Sequence, residues 1–321
     1  MTTVVTTSPG FAKIGSAPRA VADRGWNLIR CVDAGKPYGG ALEHAAAMDF
    51  LVVGLIGATA ELLDQAPNLK AVLKHGVGVD NIDIPACTAR GVPVFNAPGT
   101  NSNAVAELAL GCMFSLARRI PMVHRIVVDG GWQRHVGTEI EGKVLGIVGL
   151  GNIGRILAVK AAALGMRVVA ADLKPDMEFV RRHGVEMLPL EELLRASDYV
   201  SLHVFGGKDN CRLIGAGQLA LMKPTACLLN FARGEIVDTD ALALALERDE
   251  LMGAAIDAYE QEPPNRSHPL FKHPRVVFTP HSGADTKESV ERMSLMNIED
   301  IDKVLAGERS PRALNPEAYE R

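Results

Sequence analysis

The sequence predicts an α/β protein that is built from two doubly wound parallel-sheet domains. One reason is its length, because 321 residues exceed the size of about 250–300 residues at which a single hydrophobic core stops growing. The other reason is that short apolar runs alternate with Ala- and Leu-rich helical segments through both halves of the chain. Such alternation is typical of a parallel sheet that is covered by helices.

Four short apolar runs in the first hundred residues are predicted to be strands, at positions 3–6, 48–55, 69–74 and 92–96. A glycine-rich loop, residues 76–83, follows the third run. Ligands of open α/β sheets bind at the carboxyl ends of the strands, and neighbouring glycines expose backbone N–H groups to an anion. This loop is therefore a candidate anion site, and a plain strand-to-helix turn is the alternative.

The second domain is predicted to be inserted into the first. A helix over residues 105–120 leads into it, and Pro98 and Gly99 mark the boundary before that helix. After Asp285, apolar residues at helical spacing predict a helix that returns to the first domain. Residues 1–98 and 286–321 then form one domain and residues 99–285 the other. The strands predicted in the later part of the inserted domain are 199–203, 226–230, 254–258 and 276–279.

The stretch 143–172 indicates a dinucleotide-binding strand–helix–strand unit. It contains a G-x-G-x-x-G turn in which Gly149 allows the tight bend, Gly151 lets a pyrophosphate approach the backbone, and Gly154 lets the helix pack on the strand. The second strand ends at Asp172, where a carboxylate accepts hydrogen bonds from a ribose diol and repels a 2′-phosphate. This favours NAD over NADP, and the alternative is a glycine-rich turn that binds no nucleotide.

Three later strands are each followed by a side chain that is suited to anion or proton chemistry: Arg233, Glu262 and His281. In a parallel sheet these side chains emerge at one edge. A guanidinium binds a carboxylate, an imidazole moves a proton, and a carboxylate orients that imidazole. Beside a nicotinamide, the set suits reduction of a 2-keto acid. Each residue alone also fits a structural role, as a surface ion pair, a solvated acid or a capping histidine.

Six segments spread over nearly the whole chain resemble the successive motifs of the D-isomer-specific 2-hydroxyacid dehydrogenase family, in its 3-phosphoglycerate dehydrogenase-like and hydroxypyruvate reductase-like branch. The resemblance implies a Rossmann NAD-binding domain inserted into a flavodoxin-like substrate-binding domain. It also implies a homodimer whose interface includes residues 104–119 and 121–132. The six segments are residues 78–83, 96–99, 149–154, 230–234, 257–263 and 279–281.

The resemblance also implies roles for individual residues. Arg233 would hold the carboxylate and carbonyl of the substrate, His281 would be the acid/base, and Glu262 would pair with His281. The loop 204–210 lacks the Pro/Thr-rich sequence that contacts the cofactor in many relatives. Its backbone is therefore the part of the loop that is expected to contact the cofactor. Positions expected to contact NAD are Ser102, Gly149, Gly151, Asn152, Ile153, Gly154, Asp172, His203, Ala232, Asp257 and Gly283.

A second group of residues is expected to bind the substrate. By the same resemblance, backbone N–H groups around Val77, Gly78 and Val79 would receive the substrate carboxylate. Lys74 and His75 precede this loop, and we expect them to bring positive charge near the tail of the substrate.

The implied reaction is hydride transfer between a nicotinamide and C2 of a small anionic 2-hydroxy or 2-keto acid. The family branch favours a phosphoglycerate dehydrogenase-like substrate, while hydroxypyruvate, glyoxylate and sulfonated acids stay open. Glu262 argues against formate, because a Gln usually stands there in formate dehydrogenases. An NAD-sensing corepressor is the alternative from another functional class. Because the sequence ends at Arg321, we expect no C-terminal regulatory domain.

Composition predicts an ordinary globular protein of the cytoplasm. Hydrophobic residues make up 47% of the chain and charged residues 22%, with a net charge of −4 and no basic block that would suggest a nucleic-acid partner. Five scattered cysteines favour buried thiols in a reducing compartment over disulfides or a metal site. We expect no signal peptide, and the apolar run 104–117 is too short and too charged to span a membrane.

Overall fold

The computed structural model describes residues 1–33 and 35–320. Positions 34 and 321, which belong to the predicted first domain, lie outside the described residues. The chain divides into two compact units. Unit 1 is Met1–Asn101 with Ala284–Arg321, and unit 2 is Ser102–Gly283.

Strands and helices alternate along both units. The strands are β1 (Thr3–Thr6), β2 (Asn27–Arg30), β3 (Phe50–Val53), β4 (Ala71–Lys74), β5 (Val94–Phe95), β6 (Val144–Val148), β7 (Arg167–Ala171), β8 (Glu186–Met187), β9 (Tyr199–Leu202), β10 (Cys227–Asn230), β11 (Gly253–Ile256) and β12 (Val276–Phe278). The helices are α1 (Ala17–Asp23), α2 (Ala60–Asp64), α3 (Ile84–Ala89), α4 (Ser102–Arg118), α5 (Ile120–Val128), α6 (Asn152–Ala163), α7 (Met177–His183), α8 (Leu190–Ala196), α9 (Ala216–Leu219), α10 (Thr239–Glu247) and α11 (Lys287–Leu305). Among the described residues, no helix has both the length and the apolar character needed to cross a bilayer.

Unit 1 contains a five-stranded sheet in the order β2-β1-β3-β4-β5, and every pairing in it is parallel. This is the flavodoxin-like order, so the predicted fold of this part is confirmed. All residues of β1, β3 and β4 are buried, as expected for strands with helices on both faces. The sequence did not predict β2, an edge strand whose ends are the exposed Asn27 and Arg30.

Unit 2 contains a seven-stranded sheet in the order β12-β11-β10-β9-β6-β7-β8, again with parallel pairings throughout. This is the Rossmann order with one added strand, and its direction of winding reverses between β6 and β9. The predicted strands of this unit are all present. The sequence did not predict β8, because it contains only Glu186 and Met187.

The helix predicted over residues 105–120 is two helices in the structure. α4 begins earlier, at Ser102, and ends at Arg118, and α5 begins at Ile120. Arg119 between them has a left-handed backbone with φ of 51°, which a right-handed helix cannot continue through. The sequence did not predict α5 as a separate helix, and none of its residues is buried within this chain.

The glycine turn between β6 and α6 shows why small residues are needed there. A Cβ atom on Gly154 would overlap the carbonyl oxygen of Gly149 and lie 3.1 Å from Cγ2 of Ile147. By contrast, a Cβ atom on Gly151 would meet no atom within 4 Å. Gly154 is therefore required for packing of the helix on the strand, while Gly151 faces open space.

We expect the two glycines to respond differently to the same substitution. Gly154→Ala should lower the free energy of unfolding by about 2–3 kcal/mol, because the added methyl group forces the backbone of the turn apart. Gly151→Ala is the matched control and should cost less than about 1 kcal/mol. Urea unfolding of both variants without ligand measures this difference. Equal losses of stability would contradict the packing role of Gly154.

Candidate active site

Three neighbouring strands bring the predicted catalytic side chains to one edge of the sheet in unit 2. β10, β11 and β12 lie side by side and run parallel, and the loops that follow them carry Arg233, Glu262 and His281. The imidazole Nδ1 of His281 lies 2.7 Å from Oε1 and 2.8 Å from Oε2 of Glu262. The structure therefore places the predicted imidazole and its carboxylate in direct contact.

The charge state of Glu262 fixes the tautomer of His281. Burial alone raises the pKa of Glu262, but the hydrogen bond and charge of His281, a hydrogen bond from the Tyr259 amide and the positive charge of Arg233 together lower it below its usual range. The carboxylate is then ionised and can only accept hydrogen bonds, so Nδ1 of His281 carries the proton. Nε2 is left to exchange a proton with a ligand.

Asp257 anchors the loop that carries His281. Its carboxylate is buried, and Oδ1 accepts hydrogen bonds from the Thr279 hydroxyl at 2.6 Å and the Ser282 amide at 2.8 Å. Oδ2 accepts one from the Gly283 amide at 2.9 Å. The bonds fall on both sides of His281, which has a left-handed φ of 51°. The buried carboxylate of Asp257, which directly follows β11, thus holds the strained backbone of His281 in place.

Tyr259 is a positioning residue that the sequence reasoning missed. Its hydroxyl lies 2.8 Å from the carbonyl oxygen of Thr279 and 3.2 Å from that of Ile256, and its single proton is shared between these two acceptors. Burial raises the pKa of Tyr259 to about 12, so the hydroxyl keeps its proton. The ring stacks on Phe271 with a centroid distance of 5.9 Å. Tyr259 thus joins β11 to the loop of His281, and no sequence pattern marks such a contact.

Arg233 is held close to the same group by the backbone of its loop. Its Nη1 donates to the carbonyl of Ala232 at 2.8 Å. A Cβ atom on the next residue, Gly234, would overlap the backbone of Tyr259 and Glu260. The loops after β10 and β11 are therefore in contact, and the guanidinium contributes to the low pKa of Glu262.

The loop between β6 and α6 has the properties of a pyrophosphate site. Asp172 accepts hydrogen bonds from the amides of Leu150 and Lys174, both at 2.7 Å, and so fixes the loop. Within the described residues, the amides of Asn152 and Ile153 at the start of α6 have no hydrogen-bond acceptor. Amides at a helix N-terminus bind anions. These residues fit the diphosphate of a dinucleotide, and contact of Asp172 with a ribose stays a prediction.

His203 lies beside this loop in a neutral state. Its carbonyl oxygen is 2.7 Å from the position of a Cβ atom on Gly149, and its Nε2 is 2.8 Å from the hydroxyl of Ser201. Burial lowers the pKa of His203 to about 3. Its Nδ1 is buried without a partner among the described residues. An unsatisfied buried nitrogen next to the glycine turn is consistent with the predicted contact to a cofactor.

Three other residues predicted to contact NAD also lie in unit 2. Ser102 is buried at the first position of α4, and Ala232 is buried directly before Arg233. The Gly283 amide is already bound by Asp257. Their contacts with a cofactor stay predictions.

The residues predicted to bind the substrate carboxylate lie in unit 1, in the loop after β4. Val77, Gly78 and Val79 are partly exposed, and in the described part of the chain no acceptor faces their amide groups. Lys74 is buried, and its Nζ donates to the Gly54 carbonyl at 2.7 Å and to Oδ1 of Asn81 at 2.9 Å. The loop is suited to an anion, and its role in substrate binding stays a prediction.

The expectation that His75 brings positive charge to the substrate was wrong. Burial lowers the pKa of His75 to about 4, so the ring is neutral near pH 7. Its Nδ1 lies 2.9 Å from the hydroxyl of Ser8 and its Nε2 3.0 Å from that of Ser294. The ring also packs edge-on against Phe11. His75 is therefore a structural residue that joins β4 to α11.

Comparison with known proteins finds one matching family model and several similar dehydrogenases and reductases. The model of the D-isomer specific 2-hydroxyacid dehydrogenase NAD-binding domain matches residues 110–283. D-3-phosphoglycerate dehydrogenase of Archaeoglobus fulgidus is 41% identical over 80% of this chain and 49% of its own. Glyoxylate reductase of Thermofilum pendens is 40% identical over 80% of this chain and 78% of its own. The crystal structure of the TT0316 protein from Thermus thermophilus aligns with a TM-score of 0.88 and 34% identity, over 98% and 100% of the two chains.

The chain belongs to the D-isomer-specific 2-hydroxyacid dehydrogenase family. Unit 2 is the NAD-binding domain of that family, and NAD is its cofactor. The chain spans about half the length of the phosphoglycerate dehydrogenases that it matches, 49% and 53% in two cases.

We expect the Asp257 anchor to control activity through the position of His281. Asp257→Asn presents an amide NH₂ where the carboxylate now accepts hydrogen bonds, and a displacement of about 1 Å costs about 10²-fold in rate. kcat should fall by that amount. Thr279→Val removes only one of the three donors and should have a smaller effect. Steady-state kinetics measures both variants, and a larger loss in Thr279→Val would contradict the anchoring role.

Proposed function

We propose that this chain is an NAD-dependent dehydrogenase that interconverts a 2-keto acid and a D-2-hydroxy acid. The observation that carries the proposal is the contact between His281 and Glu262, 2.7 Å apart, on the edge that also holds Arg233. Family membership supports the reaction class. The curated relatives include both D-3-phosphoglycerate dehydrogenases and glyoxylate reductases, and a phosphoglycerate dehydrogenase-like activity is the first candidate.

The residues of unit 2 suit each part of this reaction. NAD held at the amides of Asn152 and Ile153 would supply the hydride for C2 of the acid in reduction and would accept it in oxidation. The guanidinium of Arg233 binds the substrate carboxylate through paired N–H donors. Nε2 of His281 gives a proton to the carbonyl oxygen in reduction and takes it back in oxidation. Glu262 orients the imidazole and stabilises its positive charge while it is protonated.

The substrate is proposed to be a small anionic acid. Arg233 provides one site for a carboxylate, and the amides of Val77, Gly78 and Val79 provide another group of donors. Lys74 adds a buried positive charge at the end of β4. An acid that carries a second anionic group, such as a phosphate, is the first candidate because the relatives include D-3-phosphoglycerate dehydrogenases.

We further propose that the protein is a homodimer of the cytoplasm. α5 has no buried residue, and Ile120, Val127, Val128 and Trp132 expose large apolar side chains. Coverage by a second copy would remove this apolar surface from water. Light scattering should give twice the mass of the chain.

The cysteines support the proposed location in the cytoplasm. Four of the five are buried thiols and Cys211 is exposed, and none is in a disulfide, which suits a reducing compartment. Cell fractionation tests that location.

Turnover with a panel of acids tests the proposed function. NADH oxidation is followed by absorbance with phosphohydroxypyruvate, hydroxypyruvate, glyoxylate, pyruvate and sulfopyruvate. We expect turnover of at least one acid, with a preference for one that carries a second anionic group. NADH binding without any turnover would contradict the dehydrogenase and favour an NAD-sensing binding protein.

His281→Asn should abolish most of the turnover and spare cofactor binding. The amide of Asn keeps a donor towards Glu262 but cannot exchange a proton at neutral pH, so kcat should fall by about 10²- to 10⁴-fold. The dissociation constant of NADH, measured by calorimetry, should change little. A variant that keeps its turnover would remove His281 from the mechanism.

Glu262→Gln should shift the pH dependence of reduction. The ionised carboxylate favours the protonated imidazole, which is the form that donates a proton, and a neutral amide does not. Reduction should therefore decline at a lower pH in this variant than in the wild-type protein. The exposed Glu260 provides the control, since Glu260→Gln should leave the profile in place. The measurement is kcat/KM for the keto acid against pH, and an unmoved profile in Glu262→Gln would refute the pairing.

A further inference from the structure

The loop after β9 lies between the glycine turn and Arg233. β9 is the neighbour of both β6 and β10, and its loop touches the loops that follow those strands. At one end, the carbonyl oxygen of His203 is 2.7 Å from the position of a Cβ atom on Gly149. At the other end, Cγ of Arg233 is 3.0 Å from the position of a Cβ atom on Gly206. Phe205 is the residue directly before this second contact.

The backbone around Phe205 is fastened, although its side chain is not packed. The amide side chain of Asn210 donates to the Phe205 carbonyl at 2.8 Å, and the Gly207 amide donates to Glu235 at 3.2 Å. Val204 packs against a hydrophobic core of unit 2. Phe205 itself is 82% exposed. A fixed loop therefore presents an aromatic ring to solvent beside the candidate site.

The position of this loop determines which part of a bound dinucleotide would contact it. The diphosphate belongs at the amides of Asn152 and Ile153, and the acid belongs at Arg233 and His281. A hydride reaches C2 of the acid only if the nicotinamide lies between these two points. The loop after β9 lies between them as well, so the nicotinamide half of the dinucleotide is the part that meets Phe205.

We propose that Phe205 forms an apolar wall against the nicotinamide half of bound NAD. This inference rests on the proposed dehydrogenase function. Contact with a ribose and a planar ring would cover the exposed phenyl group, which is favourable because aromatic rings gain from both burial and stacking. The wall would also keep water from the path of the hydride.

The wall can be tested by comparing two ligands that differ in the nicotinamide. ADP-ribose has the adenosine, the diphosphate and a ribose, and it lacks the nicotinamide ring. Calorimetry measures the dissociation constants of NADH and ADP-ribose for the wild-type protein, Phe205→Ala and Phe205→Leu. Leu244→Ala, which truncates a half-exposed apolar side chain on α10, is the matched control.

Phe205→Ala should weaken NADH about tenfold, the size expected for one aromatic contact, and should change ADP-ribose by less than about twofold. Phe205→Leu keeps part of the apolar area and should lie between wild type and Phe205→Ala. Leu244→Ala should bind both ligands as the wild type does. Light scattering should show the same mass for all variants.

Three results would contradict the proposed contact between Phe205 and the nicotinamide half. NADH affinity that is unchanged in Phe205→Ala would show that the ring is not in contact with the nicotinamide half. An equal loss of NADH and ADP-ribose would place the ring against the adenosine half or show that it supports the glycine turn. A change of mass would assign Phe205 to an interface between copies of the chain. Failure of the wild-type protein to bind NADH would instead overturn the proposed function, and the wall with it.

Discussion

The buried carboxylate of Asp257 is the constraint on which the candidate site depends. It accepts one hydroxyl and two amide hydrogen bonds from the loop that contains His281. A buried carboxylate that lacks partners is far less stable than one that is fully bonded, so this loop is held to β11. His281 can then keep a left-handed backbone, which is rare for a residue with a side chain. These hydrogen bonds set the position of the imidazole.

The functional groups of the candidate site follow the strands of unit 2 in the order in which a bound dinucleotide and acid would contact them. The anion-binding amides follow β6, the loop of Phe205 follows β9, and Arg233 follows β10. Glu262 and His281 follow β11 and β12. This order results from parallel strands that share one carboxyl edge. Glu262 and His281 are hydrogen-bonded to each other, and both His281 and Arg233 lower the pKa of Glu262.

Sequence patterns predicted the buried strands and the groups at their ends, and they failed where tertiary contacts decide the outcome. The apolar runs of β1, β3 and β10 are buried throughout and are visible in the sequence. β2 and β8 are short edge strands with polar residues, so their pattern is weak. The neutral state of His75 depends on Ser294, which is distant in sequence. The contacts of Tyr259 likewise involve residues that no motif links to it.

The tautomer of His281 shows directly whether the imidazole can exchange a proton at Nε2. Two-dimensional ¹H–¹⁵N correlation of the histidine side chains shows which ring nitrogen carries the proton, and the signal of His281 among the nine histidines is the one that His281→Asn lacks. We expect a protonated Nδ1 and an unprotonated Nε2 in the neutral ring when no ligand is added. A proton on Nε2 in that state, with Nδ1 bare, would contradict the pairing with Glu262 and the mechanism built on it.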